Sequence, residues 1–267
     1  MIAVGGLTEA VVKASTHALL ASCLQRRGSG PALRELLEQL LGILKENSAY
    51  TAVLGGAAAA AGGGNRIVLP LLKTFETLLR HSVFDSLLCR AADTRLPSEL
   101  YAYVNYEMNN STDVVKIRRC LDILILLLNS DIDDVRYRCM KSVVVLVGHK
   151  YPVVRSYASQ LLYTYALTDP HFFGERYAPD RPRRADSAKI GFLEAPGDLD
   201  AVNVLLLGTD WEGDTVAAVR CRRQELCALL GLEMQMRARS ATGAAGAGER
   251  RVDELDDYAT LVREAGY

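Results

Sequence analysis

The sequence predicts an all-α chain, a HEAT/armadillo-like helical-repeat array (an α-solenoid). Three observations carry that reading. First, a helix opening with Val and a basic residue recurs at Val12-Lys13, Val115-Lys116, Val135-Arg136, Val154-Arg155 and Val219-Arg220. Lys116 to Arg136 is 20 residues and Arg136 to Arg155 is 19, about one helix and its turn. Two such steps give a unit of ~40 residues, the length of a HEAT or armadillo repeat. Second, apolar residues follow helical spacing in most segments, and sustained period-two alternation is absent. Third, 49% hydrophobic but only 7% aromatic content means Leu, Val and Ala, which suit helix-on-helix packing.

The elements follow in order. Leu33, Leu36, Leu37, Leu40, Leu41 and Leu44 lie on one helical face, with Gly30-Pro31 marking the start and Asn47-Ser48 the end. Val68, Leu71, Leu72, Phe75, Leu78 and Leu79 repeat that pattern, and Pro70 is placed in the first turn, where a missing N–H costs little. Residues 113–128 are apolar all round, which predicts a helix buried between neighbours at the centre of the array. Asp131, Asp133 and Asp134 predict an N-terminal cap for a helix over 134–147, because carboxylates accept its free N–H groups. Gly148 stops that helix and Pro152 starts the next, over 152–167. A shorter helix over 200–207 and a last one over 214–230 complete the set.

Residues 1–240 therefore read as one helical-repeat domain with loop inserts near 55–65 and 169–197, and 241–267 as a flexible charged tail. The first insert is Ala/Gly-rich; the second holds Pro170, Pro179, Pro182 and Pro196 beside Arg181, Arg183 and Arg184. A loop that long in a compact array is a functional or disordered segment.

Composition and spacing narrow the chemistry. Thirty-one basic against 32 acidic side chains leave no concentrated basic charge for nucleic acid. The longest wholly apolar run, Ile123 to Leu128, is far below the ~20 residues that cross a bilayer, so no membrane insertion is expected. The first residues lack the basic and apolar regions of a secretory signal, which makes a cytoplasmic location the simplest expectation. Six scattered cysteines without C-x-x-C spacing read as small buried hydrophobes. Gly62-Gly63-Gly64-Asn65-Arg66 lacks the Gly-Lys-Ser/Thr end of a P-loop, the acidic run has Arg136 where a calcium loop needs Gly, and no Gly-x-Ser-x-Gly elbow occurs. His17, His81, His149 and His171 form no zinc pattern. No catalytic residue, metal or cofactor is expected.

Four ordered blocks carry a family resemblance. They are Gly5-Gly6-Leu7-Thr8-Glu9 with Ser15-Thr16; Leu69-Pro70-Leu71-Leu72-Lys73-Thr74 with Phe84-Asp85; His149-Lys150-Tyr151-Pro152-Val153-Val154-Arg155 with Ala158-Ser159-Gln160; and Trp211, Val219-Arg220, Arg223 and Leu226-Cys227-Ala228-Leu229-Leu230-Gly231. Together they span residues 5–232 and resemble the C-terminal region of the tubulin-folding cofactor D family (tubulin-specific chaperones D), whose chains are several times longer. Segments 55–64 and 180–197 and the tail after Ser240 depart from the family pattern. The resemblance implies a tubulin-folding chaperone fragment: a scaffold that captures β-tubulin and works with tubulin cofactors C and E and an ADP-ribosylation-factor-like small GTPase. The reaction is assembly and disassembly of the αβ-tubulin heterodimer. It further implies a part in stimulating tubulin's GTPase, and action at centrosomes or basal bodies. The competing reading is a helical-repeat interaction adaptor unrelated to tubulin.

Against that background Arg118, Arg119, Arg220, Arg222, Arg223 and Trp211 are the candidate partner-binding residues. The arginines lie off the apolar stripes, and tubulin is an acidic protein. Solvated faces for the arginines, and a packing staple for Trp211, are the structural alternatives. At the Val-Arg positions, Val is expected inside and Arg136 and Arg155 reaching carboxylates on a neighbouring repeat.

Overall fold

The computed structural model describes residues 9–25, 30–48, 64–88, 94–130, 132–168 and 196–232. Among them the helices are α1 (Glu9–Gln25), α2 (Gly30–Asn47), α3 (Gly64–Arg80), α4 (Asp85–Leu88), α5 (Arg95–Asn109), α6 (Val114–Leu127), α7 (Asp133–Val147), α8 (Pro152–Thr168), α9 (Pro196–Gly208) and α10 (Val216–Leu229), and no strand occurs. The all-α helical-repeat class is thus what the described residues form. The chain divides into two compact units, the first ending at Val143 and the second starting at Val144, so the division falls within α7.

In the first unit α6 packs on both α3 and α5, and α2 packs on the same two helices. The predicted stripes are the faces that meet. Leu33, Leu37, Leu40, Leu41 and Leu44 of α2 are buried, as are Val68, Leu71, Leu72, Phe75, Leu78 and Leu79 of α3. Each such side chain removed from water contributes about 1.5–3 kcal/mol. Ile117, Cys120, Leu121, Ile123, Leu124 and Leu127 of α6 are all buried, so the helix predicted to be central is central to this unit. Asp113 caps it, accepting from the backbone N–H of Val115 (2.8 Å) and Lys116 (3.3 Å).

Polar groups pin this apolar framework at defined points. Glu107 of α5 is 5% exposed; it accepts from the Ser48 hydroxyl after α2 and is ion-paired with Lys116 of α6. Glu76 of α3, also buried, takes Arg80 from its own helix and Arg119 from α6, each at 2.8 Å. Ser130 donates to the Leu88 carbonyl at 2.9 Å, tying the end of α6 to α4. Because every one of these carboxylates is already hydrogen-bonded, their burial costs little.

In the second unit α9 packs on α8 and on α10. α10 starts at Thr215, whose hydroxyl accepts from the Ala218 N–H. It stops at Gly231, whose φ of +62° lets the Leu232 N–H reach back to the Cys227 carbonyl at 2.9 Å. A side chain at that position would be strained, which is why glycine ends this helix.

Several expectations need correction. Pro70 is not in a first turn: α3 begins at Gly64, inside the stretch read as a loop, and places Pro70 in the helix interior. Burial of Val68, Leu71 and Leu72 around it offsets the roughly 3 kcal/mol cost of interior proline. α9 is longer than the helix expected over 200–207, because Pro196 serves as its first residue, a position where proline suits a helix. The remaining parts of the two inserts, 55–63 and 169–195, and the tail lie outside the described residues. The Val–basic rule also fails in detail. Val135, Val154 and Val219 are inside, but Val115 is 49% exposed and it is Lys116 that turns inward.

Candidate functional site

Arg155 departs most from expectation. It sits in the first turn of α8 at 2% exposure. Its guanidinium donates to five backbone carbonyls: Nε to Trp211 at 2.6 Å, Nη1 to His149 and Lys150, and Nη2 to Glu212 and Asp214 at 3.2 Å. The acceptor expected was a carboxylate on another repeat. The structure instead uses the planar five-donor fork to bind two turns at once, the one before α8 and the one between α9 and α10. Arg136 is buried as well, at 5%. Cross-helix ion pairs are also made by Lys116 and Arg119 of α6, to Glu107 and Glu76.

The same two turns hold Trp211 and Gly148. Trp211 is buried at 6%, and its indole N–H donates to the Leu206 carbonyl at 2.8 Å. The indole N–H therefore ties Trp211 to the end of α9, whereas the packing alternative had it stapling the last helix. Gly148 is buried because the Arg223 side chain lies across it; an added Cβ would stand 2.9 Å from Arg223 Cδ. Arg223 is accordingly half-covered.

Of the six candidate residues, then, the structure commits three to the molecule's own packing. Arg119 is paired to Glu76 and Asp122, Arg223 spans Gly148, and Trp211 is buried. Arg118 on α6, in the first unit, and Arg220 and Arg222 on α10, in the second, are exposed. Arg222 is held by Glu225 at 2.9 Å, a pair that water reaches freely. Such exposed pairs contribute little to stability, so Arg222 can exchange its partner at low cost. Sequence periodicity could not separate these roles, since all five arginines lie off the apolar stripes.

Beside Trp211 an open groove of about 280 Å³ runs between α8 and α9, lined by Gln160, Tyr163, Leu206, Leu207, Asp210 and Trp211 among others. Val204 and Leu207, three residues apart on α9, are 71% and 66% exposed. The thiols of Cys120 and Cys139 are fully enclosed, and burial pushes both well above the usual range; Cys221 is exposed on α10. Among the described residues no three His, Cys, Asp or Glu side chains are grouped to hold a metal ion, and no helix is long and apolar enough to cross a membrane.

His149 gives this region a pH dependence. Burial first, then the neighbouring charges of Lys150 and Arg155, lower its pKa to about 4, and its Nδ1 accepts the Tyr151 N–H at 3.2 Å. The unfolded chain, with an ordinary value near 6.5, takes up the proton first. Stability contributed by the neutral ring is therefore complete above about pH 6.5 and is lost as pH falls towards 4. We expect a loss of about 2 kcal/mol, allowing for solvent at the ring's edge. Urea unfolding at pH 7, 6 and 5 should show a steeper decline for the native chain than for His149→Gln; parallel curves would remove His149 as the cause.

Residues 1–116 match the family model described as tubulin folding cofactor D C terminal. No solved structure matches the chain. The match takes in the first two resemblance blocks, and with them α1 to α5 and the opening of α6, including the Asp113 cap and Lys116. The third and fourth blocks lie beyond it. Over residues 1–116, then, the chain is similar to the C-terminal region of the tubulin folding cofactor D family.

Proposed function

We propose that the chain is a protein-binding scaffold that takes part in handling tubulin. Its finer role is capture of β-tubulin in concert with cofactors C and E and an ADP-ribosylation-factor-like small GTPase, during assembly and disassembly of the αβ heterodimer. The observation that carries this reading is the family match over residues 1–116, in helices whose apolar faces are used internally. What such helices leave for other molecules is a charged outer surface and connecting turns, which suits gripping polypeptides better than converting small molecules. We assign the chain no catalysis of its own; any stimulation of tubulin's GTP hydrolysis belongs to the assembly. The cytoplasm, with centrosomes or basal bodies as sites of action, fits that role.

Exposed Arg118, Arg220 and Arg222 are the side chains we assign to contact with acidic tubulin. Complementary charge of this kind raises association rate and selectivity more than final affinity. Binding of αβ-tubulin to the full chain should weaken steeply with salt, and Arg220→Glu with Arg222→Glu should reduce the association rate about tenfold at low salt. Surface plasmon resonance reads both. A folded chain that retains neither tubulin nor the partner cofactors would defeat the proposal and favour an unrelated adaptor; GTP hydrolysis by the chain alone would defeat the non-enzymatic part.

A further inference from the structure

The α8–α9 pair is apolar along its groove and one-sided in charge. Arg155 in the first turn of α8 reaches Trp211, just past the end of α9, so the two helices run antiparallel. Among the described residues five large apolar side chains are exposed, and three of them, Leu167, Val204 and Leu207, fall on this pair. Leu207 borders the groove beside Tyr163 and Trp211. Val204 lies one turn back on the same face of α9, and Leu167 one turn on from Tyr163 along α8. The antiparallel run carries both towards the same end. Clustered apolar exposure of this kind marks an interaction surface, whereas scattered exposure does not.

The other end of the groove is acidic. Along residues 152–168 and 196–214 the only cation is Arg155, which is enclosed, against Asp198, Asp200, Asp210, Glu212 and Asp214. Asp210 and Glu212 line the groove and are exposed. One Asp210 oxygen accepts from the backbone N–H groups of Glu212 and Gly213, at 3.2 and 2.9 Å, and among the described residues neither carboxylate is ion-paired. An open cleft of about 280 Å³ is small for a small-molecule site, which runs to roughly 300–1,000 Å³ and encloses its ligand. A cleft between two helices, with apolar anchors along it and carboxylates at one end, fits a third helix. Charge then selects which helix: apolar residues at i and i+3 or i+4, with Lys or Arg in the following turn. A second copy is a poorer fit, because two exposed turns fall well short of the roughly 1,000 Å² that a stable interface between chains buries.

We propose that the α8–α9 groove docks a short basic amphipathic helix of a partner protein. Its apolar side chains seat against Leu167, Val204 and Leu207 beside Trp211, and its Lys or Arg residues pair with Asp210 and Glu212. This goes beyond the tubulin reading and does not depend on it: the acidic surface assigned to Arg220 and Arg222 would be repelled here, so the occupant carries the opposite charge.

Titration of the full chain into a dye-labelled peptide, read by fluorescence anisotropy, tests it. The probe is an alanine- and glutamine-based helix of about 16 residues, with leucines at i, i+4 and i+7 and two lysines in the turn that follows. It should bind with a Kd of about 10–100 µM, and the same peptide with glutamates for the lysines should bind about tenfold more weakly at low salt. Asp210→Asn with Glu212→Gln, which leaves an acceptor for the turn at Asp210, should erase the difference between the two peptides. Leu207→Ser should weaken the lysine peptide about tenfold. All three altered side chains are exposed, so helix content by circular dichroism should stay native. No binding by the native chain, equal affinity for the two peptides, or a dimer that Leu207→Ser abolishes, which would identify a second copy as the occupant, would each overturn the proposal.

Discussion

Replacing Arg155 with alanine should destabilise the second unit by about 3–5 kcal/mol. The guanidinium's five carbonyl acceptors, from His149, Lys150, Trp211, Glu212 and Asp214, would lose a shared donor inside the protein. Water entering the vacated space would recover only part of that, because Arg155 is 2% exposed and the site is shaped for a flat ion. Arg155→Lys keeps the charge but offers three donors from one atom, which cannot address two turns together. It should recover less than half of the loss. Trp211 is the chain's only tryptophan and its carbonyl receives the shortest of the five bonds, at 2.6 Å, so its fluorescence is a local reporter. Denaturant titration should show the Trp211 transition moved to lower concentration in both variants. A midpoint within error of the native chain for Arg155→Ala would mean the clamp is dispensable.

The second large effect is at Glu107. Glu107→Ala leaves the Lys116 ammonium, 9% exposed overall, without its paired carboxylate, and removes the acceptor of the Ser48 hydroxyl. An uncompensated charge in that position costs about 3–5 kcal/mol. Removing both charges is a different matter. Glu107→Leu with Lys116→Met fills the same space with apolar groups, and such replacements of an enclosed pair are often neutral. The double variant should therefore be more stable than Glu107→Ala by about 2 kcal/mol or more in thermal unfolding, and the cycle of native chain, Glu107→Leu, Lys116→Met and their double measures the coupling of the pair. If Glu107→Ala alone costs under about 1 kcal/mol, Lys116 has found water and the account of this pair is wrong.

Much of the architecture was legible from spacing. The leucines of α2 and the apolar run of α6 follow helical spacing, and both helices bury those residues against α3 and α5. What spacing could not reveal was rotation and polar detail. Val115-Lys116 and Val154-Arg155 look alike in sequence, yet Val115 faces water and Val154 is enclosed. Lys116 turns inward to Glu107 in one helix, whereas the turn at residues 149–151 supplies carbonyls to Arg155 in the other, and neither partner is a matter of periodicity. The arginines were similarly indistinguishable. Arg119 and Arg118 are neighbours, but only Arg119 meets Glu76, a carboxylate 43 positions earlier that no local pattern points to. Pro70 misled for a related reason: proline reads as a boundary, and the apolar residues around it overrode that preference.

α6 bears one more consequence. Leucine-lined helices are interchangeable partners, and two of them can slide by a turn, about 5.4 Å, with much of their oily contact preserved. Lys116 and Arg119 grip α5 and α3 respectively, one on each neighbour, so any such slippage would tear both off together. The two cations act as a lock on axial alignment, selecting one threading of the bundle from several that oil alone would tolerate.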